Sequence, residues 1–519
     1  MQFLFVVFVF FVVKKTLASF RGPFSVMSQP YTTIIGLEVH VQLATQSKLF
    51  CRCSTQFGAE PNTQTCPVCL GMPGTLPVMN ARAFELALQT AVALNCEIPR
   101  FTKWDRKQYF YPDLPKGYQI SQYDLPMSAA GYLEISDEKG AFEPKQVRIT
   151  RAHLEEDAGK SIHDESSGTG DSEIDLNRTG TPLLEIVSEP DLRSAAEAKA
   201  YLQELKLLLS HLAVSDCNMQ EGSLRVDANV NLHLETPTGK VATPIVEIKN
   251  LNSFRAVERA IEYEAQRQFR EWQETGKKIG EAPKQTRGWD DVAGITRGQR
   301  SKEESSDYRY FPDPDLVPVV VSEAEIAAVK NSLGELPADF RRRFTTEWGL
   351  SLYDANVIIN QGRSVIEYFE EVVQGGHDAK SACNWITQDI LRHLKDNDLG
   401  IDEFPISAMH LASLIAAINE GTLPKSRAKD AYDLMLAERG SAQEAITKLG
   451  IEQVDESALV ELCRQLLAEN PKILADLQNG KQQAVGALVG QAKKRNPNVD
   501  PGRFREICLE LAQRGLSAN

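Results

Sequence analysis

Four cysteines carry the most specific chemistry legible in this chain. Cys51 and Cys53 are separated by one residue, Cys66 and Cys69 by two, and 12 residues lie between the pairs. Two close pairs joined by a short loop suit a tetrahedral four-thiolate zinc site with bonds of about 2.3 Å. Four free thiols or two labile disulfides are the alternative. A closed four-sulfur site has no open coordination position, so its role would be structural, stapling the Gly58–Gly74 loop with its prolines at 61, 67 and 73. Cys96, Cys217, Cys383, Cys463 and Cys508 stand alone and read as small buried hydrophobes.

A second set of residues could hold a hard cation. Glu38 and His40 are two residues apart, Glu155, Glu156 and Asp157 follow His153, and Glu185 interrupts the apolar run Leu183-Leu184-Glu185-Ile186-Val187. A carboxylate inside such a run must be paired or bound to metal, because an unpaired buried charge is very costly. Oxygen ligands with one imidazole suit Mg²⁺ or Mn²⁺, and magnesium commonly reaches proteins with phosphate substrates. The other reading is solvated acids plus a buried ion pair with Lys107, Lys116, Arg178 or Arg225. Familiar phosphate cradles are absent. Neither Gly159-Lys160 nor Gly239-Lys240 has the upstream glycine of a Walker loop, the positions being Leu154 and Leu234, and there is no G-x-G-x-x-G or G-x-S-x-G. ATP, if used, is held without a standard loop; ammonia, if used, comes from elsewhere.

These side chains need elements to aim them. Ile34–Leu43 alternates, with Leu37, Val39, Val41 and Leu43 on one face and Gly36, Glu38, His40 and Gln42 on the other, which predicts a half-buried strand. Asp191–Leu212 reads as a helix with a Ser194/Glu197 capping box and a stripe of Tyr201, Leu205, Leu208 and Leu212. Phe254–Trp272 reads as a second, charged helix, and Asp164–Ser172 as a mobile loop. From Ser322 the pattern turns helical, with segments at Glu323–Leu333, Asp339–Trp348 and Ser351–Gln361. From Ser407 a small helical unit carries basic patches at Lys425, Arg427 and Lys429 and at Lys493, Lys494 and Arg495. No fixed-period repeat is visible, although Tyr109-Phe110-Tyr111-Pro112-Asp113 echoes Tyr308-Arg309-Tyr310-Phe311-Pro312-Asp313.

The 519 residues suffice for about three domains. With 42% hydrophobic and 25% charged residues, the composition argues against wholesale disorder, a collagen-like repeat or a membrane bundle. A net charge of −14 means that nucleic acid must meet a local basic patch. Nine cysteines at this length point to a reducing compartment. The apolar run Phe3–Val13 is too short to span a bilayer and precedes its lysines, Lys14 and Lys15. Residues 1–26 therefore read as an upstream extension outside the fold, with a start at Met27; an organelle leader or a secretion signal is the alternative.

Ile35-Gly36-Leu37-Glu38-Val39-His40-Val41-Gln42-Leu43, Gly71–Val78, Tyr109–Gln122, His153–Ser161, Asp175–Arg178, Glu221–Arg225 and Lys249–Phe254 together resemble the B subunits of aspartyl/glutamyl-tRNA(Asn/Gln) amidotransferases. The likeness runs in order from Tyr31 to the C-terminus and is densest up to Pro318. It implies an α+β protein: a mixed α/β cradle domain with a zinc-stapled loop (27–321), an all-helical linker domain (322–406) and a small helical tRNA-binding tail (407–519). The implied enzyme is a heterotrimer in which this chain joins a glutamine amidase and a small third protein that clamps the two together. It phosphorylates the side-chain carboxylate of Glu-tRNA(Gln) or Asp-tRNA(Asn) with ATP, then amidates it with delivered ammonia.

By the same resemblance Glu38, His40, Glu156 and Glu185 are the Mg²⁺ positions and catalytic residues. Lys107, Tyr109, Tyr111, Lys116, Ser223 and Arg225 are candidates for the substrate pocket or ammonia channel. Cys51, Cys53, Cys66 and Cys69 match zinc-bearing members, and Lys425, Arg427, Lys429, Lys493, Lys494 and Arg495 would meet tRNA phosphates. No membrane is involved, and the expected compartment is the bacterial cytoplasm, or an organelle matrix if the leader is genuine. Two rival readings are a zinc-stabilised RNA-binding scaffold without chemistry and a free-standing ATP-dependent ligase for small acids.

Overall fold

The computed structural model describes residues 31–163, 172–299, 308–452 and 455–514. The extension at 1–26 and nearly all of the loop expected at Asp164–Ser172 lie outside them.

The alternating segment that opens the described chain forms β1 (Tyr31–Gln42). Ile35, Leu37, Val39 and Val41 are at most 1% exposed, so the apolar face predicted from period two is the buried one. Seven further strands place β1 at the centre of a large sheet: β2 (Gly131–Ile135), β3 (Lys145–Glu156), β4 (Pro182–Ser188), β5 (Leu224–Thr236), β6 (Val246–Leu251), β7 (Gln285–Asp290) and β8 (Ile295–Gly298). Their order is β8-β7-β6-β5-β1-β4-β3-β2, and a ninth strand, Gly239–Ala242, pairs with β5. All pairings are antiparallel except β6 with β7. A smaller three-stranded sheet joins Asp105–Gln108 to Tyr118–Ser121 and Phe311–Pro312, so the two echoing tyrosine segments meet in space.

Helices cover the apolar side: α1 (Ala81–Ala93), α2 (Ala195–His211) and α3 (Phe254–Thr275). At α1 the Asn80 carboxamide accepts from the backbone N–H of Arg82 and Ala83, and its amide donates to the Ser47 and Lys48 carbonyls. One residue thus caps the helix and ties it to the cysteine loop. The box expected on α2 is half-formed. Ser194 Oγ accepts the Glu197 N–H at 3.1 Å, but the Glu197 carboxylate takes the Arg193 N–H and the Lys145 ammonium instead of the Ser194 N–H. Tyr201, Leu205 and Leu208 are buried as the stripe requires.

Helices do follow at Glu323–Ser332, Pro337–Thr346 and Leu352–Ile359. The apolar cores, however, divide the chain elsewhere than the change of character suggested. Val321 and Leu333 pack with the sheet, so the first helix after 321 belongs to the first unit. A second core runs from Phe340 to Ile451 without a break at 406: Ile406, Ala408, Leu411 and Leu414 share it with Phe344 and Phe369. A third gathers Leu459 to Ala512. A helix signal marks local periodicity, whereas a unit boundary is set by which apolar faces meet.

Candidate active site and metal centre

Strand register builds the site. On the polar face of the sheet His40 of β1 is directly opposite Arg225 of β5 on one side and Glu185 of β4 on the other, and Glu185 is opposite His153 of β3. Four strands therefore present Arg225, His40, Glu185 and His153 as one row. Period two carries the same face of β3 from His153 to Glu155 and on to Asp157, and sends Leu154 and Glu156 to the opposite face. His40 Nε2 is 3.6 Å from Glu185 Oε2, and His153 Nε2 is 3.7 Å from the same oxygen. Donor atoms of His40, Glu155 and Glu185 all lie within 4.8 Å of one another. Glu155 is buried, and the Glu185 side chain is nearly so.

The cluster leaves out two acids of the expected set, Glu156 and Glu38, and gains Glu155. Glu156 stands apart from the cluster: it forms an ion pair with Lys116 and accepts the Ile120 N–H at 3.1 Å. The partner of His40 and Glu185 is Glu155. The signal for it was present in His153-Leu154-Glu155-Glu156, where the apolar Leu154 between two polar residues sets the parity. Glu38 sits on the same face as His40 but one step along β1, accepting from Asn229 Nδ2 at 2.8 Å.

Two carboxylates this close and this well shielded from water cannot both ionise freely. Burial opposes the charge of Glu185, yet His153, His40 and the Lys107 ammonium hold it well below the usual carboxylate range. Burial and then the field of Glu185 push Glu155 up. Burial also works against charge on His40, but the hydrogen bond and field of Glu185 outweigh it and raise that imidazole. His153 is pushed down to about 4, chiefly by burial. Two acids and an imidazole in such proximity are a donor set for a divalent cation, whose charge would remove the conflict between the carboxylates.

The surrounding residues supply positive charge and aromatic walls. Lys107 Nζ lies 5.0 Å from the centre of the Tyr308 ring. Burial disfavours the Lys107 ammonium, but Glu155 and other neighbours raise its affinity for the proton. Tyr109 meets Tyr111 and Tyr308 at 6.3 and 5.9 Å, and Tyr310 stacks on Tyr123 at 4.0 Å. Tyr308 and Tyr310 are outside the expected site residues, the repeated tyrosine phrase being the available clue to them; His153 and Glu155 stand in the acidic segment that the sequence singles out, where the family resemblance points to Glu156 instead. Arg225 donates to Asp157 Oδ2 at 2.7 Å, and Gln42 Nε2 donates to the same oxygen at 2.8 Å. Ser223 is turned to a different task. Its hydroxyl bonds Asp216 and accepts the Asn218 N–H at 2.7 Å, closing the turn before β5.

The cysteine loop brings all four sulfurs within 4.8 Å of one another, and all four cysteines are free of disulfides. Cys66 Sγ and Cys69 Sγ are 3.9 Å apart. A tetrahedron with about 2.3 Å metal–sulfur bonds has an edge of about 3.8 Å, so the spacing fits a four-thiolate metal centre. The loop is knitted to the segment that leads into β4: the Asn62 side chain donates to the Ile174 carbonyl and accepts the Leu176 N–H, and Asn177 Nδ2 donates to the Glu60 carbonyl.

The two basic patches lie on different units. Lys425, Arg427 and Lys429 belong to the second, where Arg427 pairs with Asp430 and reaches Asn498, and Lys429 pairs with Asp389. Lys493, Lys494 and Arg495 end the helix Val485–Arg495 of the third, with Arg495 paired to Glu469. Among the described residues Lys425, Lys493 and Lys494 are exposed and form no ion pair. No described helix is long and apolar enough to cross a membrane.

Residues 33–327 match the family model described as the GatB/GatE catalytic domain, and residues 367–511 match the GatB domain. The chain is 61% identical over 482 residues to the B subunit of the aspartyl/glutamyl-tRNA(Asn/Gln) amidotransferase of Rhodopirellula baltica, covering 93% of this chain and 97% of that one. It is 48% identical to the proteins of that name from Thermodesulfovibrio yellowstonii (93% of this chain, 99% of the relative) and Thermosynechococcus vestitus (95% and 99%).

Proposed function

Since the chain belongs to the family of aspartyl/glutamyl-tRNA(Asn/Gln) amidotransferase B subunits, we propose that its His40–Glu155–Glu185 cluster is where ATP phosphorylates the side-chain carboxylate of Glu-tRNA(Gln) or Asp-tRNA(Asn). Membership makes the chain part of a glutamine-dependent ligase that forms a carbon–nitrogen bond, which sets aside a scaffold without chemistry. The observation that carries the finer reading is the convergence of two carboxylates and an imidazole from three adjacent strands, flanked by Lys107.

The carboxylate is a poor acyl donor and must be activated. Its oxygen attacks the γ-phosphorus, ADP leaves, ammonia then adds at the acyl carbon, and phosphate departs with one carboxylate oxygen. A Mg²⁺ ion held by His40, Glu155 and Glu185 would neutralise the triphosphate and the charge developing on the transferred group. Lys107 lies where it can hold a second phosphate or carboxylate oxygen, and Arg225 is steadied by Asp157 for the same purpose. The rings of Tyr109, Tyr111, Tyr308 and Tyr310 bound the space in which the terminal adenosine and its amino acid are received. Ammonia comes from a partner glutamine amidase, which a small third protein holds to this chain, and reaches the acyl phosphate past the Lys116–Glu156 pair.

We assign the chain to the bacterial cytoplasm with these partners, and the basic patches to tRNA phosphates. Because residues 407–451 complete the second core, the informative truncation removes 455–519 and not the whole stretch from 407. The shortened chain is expected to keep amidation chemistry and lose efficiency toward charged tRNA. Substituting Lys493 and Lys494 by Gln should flatten the salt dependence of tRNA binding by about 0.7–0.9 logarithmic unit per lost phosphate contact, measured by titration across a range of salt. The activity itself is tested on the co-purified complex with glutamine, with free ammonium, and with ATP withheld; amide formation without ATP would refute the phosphorylation step.

The cysteine quartet is assigned a structural zinc. Metal analysis of the full chain should find about one equivalent, lost in a Cys51→Ser/Cys66→Ser variant. An unchanged metal content in that variant would overturn the site.

A further inference from the structure

Lys48 is an anomaly. Its side chain is fully buried, at 0% exposure, and it forms no ion pair with any described carboxylate. Its ammonium has two partners instead, Cys69 Sγ at 3.7 Å and the Leu176 carbonyl at 3.4 Å. A buried ammonium with only a neutral thiol and one amide oxygen is costly. The cost disappears if the sulfur belongs to a charged group. Four thiolates on a divalent cation carry a net charge of −2, itself unfavourable in a buried setting, and one ammonium halves it.

We propose that Lys48 is a positioning residue of the four-thiolate centre, donating an N–H···S hydrogen bond to metal-bound Cys69 and balancing the charge of the metal–thiolate group. The proposal rests on the assignment of the four cysteines to a metal. It also gives the centre a route to the reaction site. Cys69, Lys48, Lys116 and Glu156 line one cavity of about 70 Å³. At Gly180, which has a φ of +82°, a Cβ would meet Glu156 Oε1 at 3.5 Å, Cys69 Cβ at 3.6 Å and Lys48 Cδ at 3.7 Å. The residue with no side chain thus stands where Cys69, the Lys48 stem and the Glu156 carboxylate come together. With the centre loaded, Lys48 is engaged by sulfur and Glu156 remains with Lys116. Loss of the metal leaves an uncompensated ammonium beside Glu156, which disturbs the pair without any contact between metal and substrate.

The test is zinc affinity of the full-length protein by competition with a chromophoric chelator. The wild type, Lys48→Met, Lys48→Gln and Lys48→Arg are compared, with cobalt(II) substituted in parallel for its thiolate charge-transfer absorption. Loss of an outer partner of a metal ligand weakens metal binding by about 10–100-fold, the loss expected for Lys48→Met and Lys48→Gln. Lys48→Arg should recover most of the affinity, with a shifted charge-transfer band because a guanidinium addresses the sulfur differently. If Lys48→Met does not fold, the Lys48→Arg spectrum decides, and a band identical to wild type overturns the proposal. Wild-type affinity in a folded Lys48→Met also overturns it. Absence of metal binding by the wild type refutes the four-thiolate assignment itself, a separate outcome.

Discussion

Replacing Glu155 by glutamine in the assembled enzyme is expected to lower ATP-dependent amidation from free ammonium by on the order of 10³-fold. Glutamine keeps the size of the side chain and removes one of the two negative charges that face His40 across the cluster. A cation that neutralises transferring phosphate contributes several kcal/mol to the barrier, and halving the anionic charge of its cage forfeits much of that. The variant should also need more divalent cation for half-maximal rate. Glu156→Gln is expected to behave differently: it frees Lys116 and impairs ammonia use, but leaves the cation requirement in place. Steady-state rates as a function of Mg²⁺ concentration separate the two. Equal Mg²⁺ dependence in both variants, or a changed dependence in Glu156→Gln alone, would move the cation away from His40.

The second large effect concerns stability. Asp157 is 2% exposed and receives Arg225 at 2.7 Å, Arg178 at 3.6 Å and Gln42 at 2.8 Å. Removing one member of a buried charged network leaves the others uncompensated, so Asp157→Ala should destabilise the first unit by about 3–5 kcal/mol in denaturant unfolding. Arg225→Met combined with Asp157→Asn should cost less than the two single changes summed, because no orphaned charge remains on that axis. The pH dependence has a definite sign. Burial alone would raise the Asp157 carboxyl, but the two arginines and the Gln42 hydrogen bond hold it below its ordinary value. A carboxyl depressed in the folded state contributes stability that is fully present above its unfolded pKa of about 3.9. That contribution is lost as pH falls through the lower folded value. Wild type should therefore lose stability in acid, and Asp157→Asn should lose less over the same range. Parallel acid limbs for the two proteins would contradict this.

Much of the architecture was legible because it depends on local periodicity. The alternation in Ile34–Leu43 located the central strand and its polar face, and the cysteine spacing located the four-thiol cluster, since both signals lie within a few residues. Asp191–Leu212 was recognisable from its stripe and cap, and Phe254–Trp272 as a long charged segment. The site was only partly legible because its members come from distant segments. Glu38, His40 and Glu185 share strands with a clear pattern, and the parity around Leu154 separates Glu155 from Glu156, but which residues of β3 and β4 meet depends on their register. That register is a tertiary fact. Tyr308 and Tyr310 reach the pocket only because Phe311–Pro312 pairs with Asp105–Gln108, more than 200 residues away in the chain. Local signals around 406 say as little about packing: Ser407 does cap a helix, and that helix shares an apolar core with Phe340.

The role proposed for this cluster is to pass a phosphoryl group to the carboxylate of an amino acid still attached to tRNA. Its most direct test is isotope transfer: the complex is supplied with ATP, ammonium and charged tRNA whose side-chain carboxylate carries oxygen-18, and the inorganic phosphate is analysed by mass. Wild type should release phosphate containing one labelled oxygen per amide formed, and Glu185→Gln should transfer label only slowly unless divalent cation is raised. Unlabelled phosphate accompanying a labelled amide product would mean that ATP is spent elsewhere, and the role given to this site would be wrong.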